Sequence, residues 1–218
     1  LIILIQPNRE KLIETLVSWC TGDCPTLLAL DAPLGWPAAL GQYLVQHQAG
    51  SPLPIDPNLL FRRETDRVIR QEAGKQSLDV GADRIARTAL AALDLLQSLR
   101  ISLKKPITLL FEPPKCNEIG AIEVYPAATL KLYGLQRIGY KKADAQSVRR
   151  EIIADLRKMM MMPANQNLLE EDVDTLDAVL CVLAGVDFLK GEVIFPKDMA
   201  LAQKEGWTWI RDLKSGNN

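Results

Sequence analysis

Thr26-Leu27-Leu28-Ala29-Leu30-Asp31-Ala32-Pro33-Leu34-Gly35 is the stretch whose reading sets the fold. Thr26 to Leu30 is a short apolar run, bounded behind by Cys24-Pro25 and ahead by a loop carrying Pro33, Gly35 and Pro37. Such a run between turn residues predicts a strand in the interior of a sheet covered on both faces. Asp31 then sits at the carboxyl end of that strand, where open α/β sheets present their ligand sites. On the amino-terminal side, Leu12, Ile13, Leu16 and Val17 recur at helical spacing up to Cys20, preceded by an apolar run, Leu1 to Ile5, that reads as another strand. On the carboxyl side, Pro37 to Gln48 suits a short helix, and Ser51 to Pro57, with three prolines, must be irregular.

Further along, a polar helix over Phe61 to Gln71 carries Arg63, Arg67 and Arg70, and Asp79 to Arg100 carries one apolar stripe. Strands are predicted at Ile107 to Phe111 and Ala121 to Tyr125. Helices follow at Ala127 to Tyr133, Ala145 to Met161 and Asp172 to Leu189, with a short terminal strand at Trp207 to Ile210. Alternation of this kind predicts an α/β layered fold: a central sheet with helices on both faces, in one domain over residues 1–218. The 26 basic residues against 27 acidic ones give a net charge of −1, which excludes the strongly basic domain that binds nucleic acid by counterion release alone. No apolar run reaches the length of a membrane span, and four irregularly spaced cysteines do not make a disulfide scaffold, so a cytoplasmic protein is expected. The chain opens on Leu rather than Met, and we expect it to be incomplete at its amino terminus.

Carboxylates carry the chemistry. Glu170-Glu171-Asp172-Val173-Asp174-Thr175-Leu176-Asp177 holds five acids and no base at the start of an apolar helix. Helix capping and the macrodipole account for Glu170 to Asp172. Asp177 instead shares a mostly apolar face with Asp174, three residues away, and two like charges about 5.5 Å apart repel by roughly 3 kcal/mol at an effective dielectric near 20. A divalent cation or a shared proton relieves such a pair; a surface role beside the helix dipole is the competing reading. Glu123, in the middle of the apolar strand Ala121 to Tyr125, needs a partner unless that strand lies at a solvated edge. Asp31, Glu123 and Asp177 are expected to converge as metal ligands, with Asp174 nearer the rim. Oxygen ligands without histidine favour Mg²⁺ or Mn²⁺ over zinc.

Six segments follow one another along the chain: Asp31-Ala32-Pro33-Leu34-Gly35-Trp36-Pro37, Arg63-Glu64-Thr65-Asp66, Glu123-Val124-Tyr125-Pro126-Ala127-Ala128, Gly139-Tyr140-Lys141, Asp174-Thr175-Leu176-Asp177-Ala178 and Glu205-Gly206-Trp207. In this order they resemble the DUF429 family of predicted nucleases with an RNase H-like fold. The resemblance implies an RNase H-like mixed sheet whose first two strands, with a first catalytic Asp, are missing from this sequence. An exposed sheet edge beside Leu1 to Ile5 would then favour pairing with a second copy. It also implies an acid set of Asp31, Glu123, Asp174 and Asp177 as the catalytic residues.

Arg63, Thr65, Asp66 and Arg67 on one helix, and Lys141 beside Tyr140, suit contacts to the phosphates of a nucleic acid or nucleotide, although solvated basic faces would look the same. Cys20 and Cys24 lack further zinc ligands nearby, His47 is the single histidine, and no glycine pattern matches a phosphate-binding loop. The resulting expectation is a two-metal nuclease that hydrolyses phosphodiester bonds. The alternatives are a catalytically inactive binding or regulatory module of the same fold, or a nucleotide-binding protein.

Overall fold

In the computed structural model, which describes residues 8–81, 83–135 and 137–215, the chain alternates helices with three short strands. Helix α1 (Arg9–Cys20) leads into β1 (Thr26–Leu30), followed by α2 (Ala38–Leu44), α3 (Pro57–Phe61), α4 (Glu64–Ala73) and the long α5 (Asp83–Leu103). Strands β2 (Thr108–Leu109) and β3 (Ile119–Glu123) come next. Then follow α6 (Pro126–Leu132), α7 (Gln146–Leu156), α8 (Asn167–Glu171), α9 (Val173–Lys190) and α10 (Met199–Glu205). The start of α1 is set by Asn8, whose side chain accepts from the Lys11 N–H at 2.8 Å. Asp172 caps α9 in the same way, accepting from Asp174 and Thr175, and Gly191 ends it at φ 73°.

The described strands run in the order β1-β3-β2 and are all parallel, with Thr26 facing Ile119 and Leu30 facing Glu123. Strand alternation divides their side chains between two helical layers. Leu28, Leu30, Ile119 and Ala121 pack with Leu16, Val17, Leu96 and Leu99 of α1 and α5. Leu27, Ala29 and Ile122 pack on the other face with Cys181, Ala184 and Phe188 of α9, and with Trp209. At Gly120 a Cβ would lie 2.2 Å from the Leu110 side chain, so only glycine lets β2 and β3 lie together there. A third cluster joins Leu130, Ile152, Ile153, Leu156 and Leu169 to Leu176 and Leu180, fixing the first half of α9 against α6, α7 and α8.

The α/β class and the two helical layers agree with the sequence expectation, and several details are corrected. Among the described strands β3 lies between β1 and β2 and every residue of it is buried, while β1 is partly buried. These three described strands are all parallel. The strand read over Leu1 to Ile5, and the sheet edge beside it, lie outside the described residues. Trp207 to Ile210 forms one isolated bridge rather than a strand, Thr208 against Glu123. Helix α7 stops at Leu156 instead of running through the methionines. Pro57, read as irregular, opens α3 behind the cap Asp56.

Candidate active site

Glu123 ends β3 with 2% of its surface exposed, and everything around it is arranged to hold a negative charge. Arg63 grips it with two donors, Nη1 to Oε2 at 2.8 Å and Nη2 to Oε1 at 2.7 Å. The Leu34 N–H donates to Oε2 at 2.9 Å, and the Thr208 hydroxyl donates to Oε1. The other edge of the same guanidinium serves Asp66, Nε to Oδ2 and Nη2 to Oδ1, both at 3.1 Å. With Nη1 also reaching the Glu205 carbonyl at 3.4 Å, all five guanidinium N–H groups are engaged. Burial works against the charge of Arg63, and Glu123 and Asp66 outweigh it, holding the group firmly protonated.

This network also braces the loop after β1. Glu205 accepts from the Ala38 N–H at 2.7 Å and from the Glu64 N–H at 2.8 Å, so one carboxylate ties the starts of α2 and α4. Gly35 lies so close to the Glu205 carbonyl that a Cβ would sit 2.4 Å from its oxygen. Thr65 accepts from the Thr208 N–H at 3.0 Å. Arg63, Thr65 and Asp66, read from sequence as phosphate-binding, are therefore buried struts, and Arg67 donates to the Arg62 carbonyl at 2.8 Å.

Asp31, one residue beyond β1, is in the opposite situation. It is exposed to a cavity of about 910 Å³ that opens at the carboxyl ends of the strands, and it makes no hydrogen bond or ion pair among the described residues. The cavity walls desolvate its carboxyl, and the charge of Asp177 adds to this, with smaller contributions from Asp174 and Glu123; together they outweigh Lys141 and push the pKa up to about 6. Asp177 lies behind the wall, 3% exposed, accepting from Lys141 Nζ at 2.6 Å and from the Tyr140 hydroxyl at 3.0 Å. Its pKa is raised, mainly by burial, with Lys141 and Tyr140 opposing and Asp174 reinforcing the shift. For Lys141, burial disfavours the charge but the hydrogen bond and charge of Asp177 dominate, so its pKa rises. Asp174 is exposed on the cavity lining, one turn before Asp177 on α9. Arg149 is buried and donates to the carbonyls of Tyr140 and Lys142 at 2.7 and 2.8 Å, pinning the turn that carries Lys141.

The four acids singled out in the sequence thus gather at one end of the sheet and divide by role. Asp31 and Asp174 face the cavity, Asp177 is paired behind it, and Glu123 is enclosed by donors. Among the described residues no three His, Cys, Asp or Glu side chains are grouped to hold a metal ion by themselves. Tyr140, Thr208, Glu205 and Ser77, which donates to Asp66 at 3.0 Å, had no signal in periodicity. The first three lie inside or beside the segments that carry the family resemblance.

A family model described as "Protein of unknown function (DUF429)" matches residues 8–200, and so spans every one of these side chains except Glu205 and Thr208. The chain belongs to the DUF429 family. No curated protein and no solved structure matches it. Among the described residues of this DUF429 chain, no helix is long and apolar enough to cross a membrane.

Proposed function

We propose that this DUF429 protein hydrolyses phosphodiester bonds with a divalent cation, Mg²⁺ or Mn²⁺, held at Asp31 and Asp174. The observation that carries the reading is the unpaired Asp31 carboxylate, aimed into a cavity at a strand end and raised in pKa by its own surroundings and by neighbouring acids. A cation offsets what raises that pKa. The donor set suits the group: Mg²⁺ is commonly held by only one or two carboxylates, with water and substrate phosphate completing its shell. Glu123 has no role as a ligand here, because both its oxygens already accept two hydrogen bonds each.

When bound, the cation supplies positive charge that polarises the phosphate and acidifies water. The protein's own groups do the remainder. Lys141, half-exposed beside the cavity, faces the phosphate's charge while Asp177 orients its ammonium. The Tyr140 hydroxyl fixes the second Asp177 oxygen, so that the acid cannot turn toward the substrate. The Arg63–Glu123 pair holds the Leu34 N–H and with it the loop that sets Asp31.

Short single-stranded DNA and RNA, incubated with the protein and millimolar Mg²⁺ or Mn²⁺, provide the test. Cleavage should require the cation and disappear in Asp31→Asn. Either cation should raise the melting temperature of the wild-type protein, as expected for a ligand that prefers the folded state, and Asp31→Asn should lose most of that increment. The reading fails if neither cation changes the melting temperature and neither supports cleavage.

A further inference from the structure

The cavity has a second wall that the hydrolysis as described does not use, formed by residues 74–80 and 137–139. The first of these segments is held at several points. Gly74 ends α4 at φ 56°, and its carbonyl accepts from Lys131 Nζ at 2.9 Å. The Tyr125 hydroxyl donates to the Gln76 carbonyl at 3.4 Å, Ser77 is bonded to Asp66, and Val80 is 1% exposed. Three side chains on this wall are left over by those anchors. Lys75 lines the cavity, is partly buried and makes no hydrogen bond or ion pair among the described residues. Leu78 and Ile138 also line the cavity and are 68% and 97% exposed. A lysine partly removed from water without a counter-charge gains from an anion. Exposed branched side chains at the mouth of a concave site gain from an apolar surface laid against them.

We propose that this cavity takes a single nucleotide unit, its base covered by Leu78 and Ile138 and its phosphate charge set against Lys75 and Lys141. The unit is either a free mononucleotide or the end of a single strand, which share this chemistry. The volume of about 910 Å³ lies within the range of small-ligand sites. A duplex keeps its bases stacked and paired, out of reach of Leu78 and Ile138. The inference rests on the hydrolase reading only for the identity of the phosphate that would be attacked.

Binding to the wild-type protein with EDTA in place of the divalent cation, a condition under which that reading allows no cleavage, provides the test by calorimetry. The probes are inorganic phosphate, adenosine, adenosine 5′-monophosphate, a short oligodeoxyadenylate and the same oligonucleotide in a duplex. The monophosphate should bind at least tenfold more tightly than phosphate or adenosine. Oligonucleotide binding tighter than that of the monophosphate assigns the site to a strand end, and equal binding assigns it to the free nucleotide. Leu78→Ser with Ile138→Ser, both exposed and so compatible with the fold, should weaken the monophosphate about tenfold and leave phosphate unchanged. Lys75→Met should weaken both. The proposal is overturned if the monophosphate binds no better than phosphate, if the double variant binds it like its parent, or if the duplex binds as well as the single strand. Selective nucleotide binding without any cleavage by the wild type would reject the hydrolase reading alone; cleavage without this selectivity would reject the nucleotide site alone.

Discussion

Asp31 and Glu123 stand almost side by side, since Glu123 faces Leu30 across two parallel strands and Asp31 is the next residue after Leu30. Both are carboxylates at the ends of apolar strands, and the fold treats them oppositely. Glu123 is closed in by a guanidinium, a hydroxyl and a backbone N–H, and its charge is matched where it lies. Asp31 faces a cavity and other acids, makes no hydrogen bond or ion pair among the described residues, and feels the opposing charge only of Lys141, which is bonded to Asp177. The difference is made by groups that arrive from far along the chain, Arg63 from the start of α4 and Thr208 from beyond α10. A structural acid and an acid free for chemistry can therefore occupy neighbouring positions of one sheet, and what separates them is which of the two has a cation built in.

The contrast breaks most readily at Arg63. Arg63→Met strands Glu123 and Asp66 in the interior, and removing one member of a buried ion pair costs about 3 to 5 kcal/mol. The melting temperature should fall by roughly 10 °C or more; a loss below about 1 kcal/mol in urea unfolding would mean that Glu123 is not locked. Glu123→Gln keeps the shape while removing one charge and leaves Arg63 paired with Asp66. Its cost should be smaller, about 1.5 to 3 kcal/mol, measured in the same way.

Asp31→Asn should act with the opposite sign and stabilise the cation-free protein at pH 7. A carboxyl whose pKa is raised in the folded state, here to about 6, binds more protons folded than unfolded. Its contribution to stability is therefore most favourable below about pH 4, is lost as pH rises to about 6, and stays constant above that. Because Asp31 is exposed, solvent screening reduces the gain to about 1 kcal/mol. Melting curves of the two proteins should coincide near pH 4 and separate by a few degrees by pH 7; a less stable Asp31→Asn at pH 7 would give Asp31 a structural partner and end the contrast. The smallest effect is expected at Lys141, whose side chain is half-exposed. Lys141→Met should cost about 1 kcal/mol at neutral pH and raise the Asp177 pKa further, which carboxyl titration by NMR would detect. An unchanged Asp177 would show that Tyr140 alone sets its charge.

Local pattern was enough for much of this. An apolar run ending in Asp31 before Pro33 and Gly35 placed that acid at a strand end. Helical spacing put Asp174 and Asp177 on one side of α9, and the cap at Asp172 followed from its position ahead of an apolar helix. Alternation also said that Glu123 needed a partner, but not which one, and the arginine that answers it was read as a phosphate ligand. Periodicity reports which face of an element is apolar; it carries no information about which distant polar group that face will meet.

The amino-acid sequence by itself determined the α/β class, the helices on both faces of the sheet and the place of Asp31 at a strand end, because these follow from local apolar periodicity and turn chemistry. Only the tertiary structure decided that Arg63 is consumed by Glu123 and Asp66, that the four acids gather at one end of the sheet, and that Asp31 is left open. Those outcomes depend on contacts between residues 60 or more positions apart, such as Arg63 with Glu123 and Glu123 with Thr208. There the energy of matching buried charges, invisible in any window of sequence, chooses the partners.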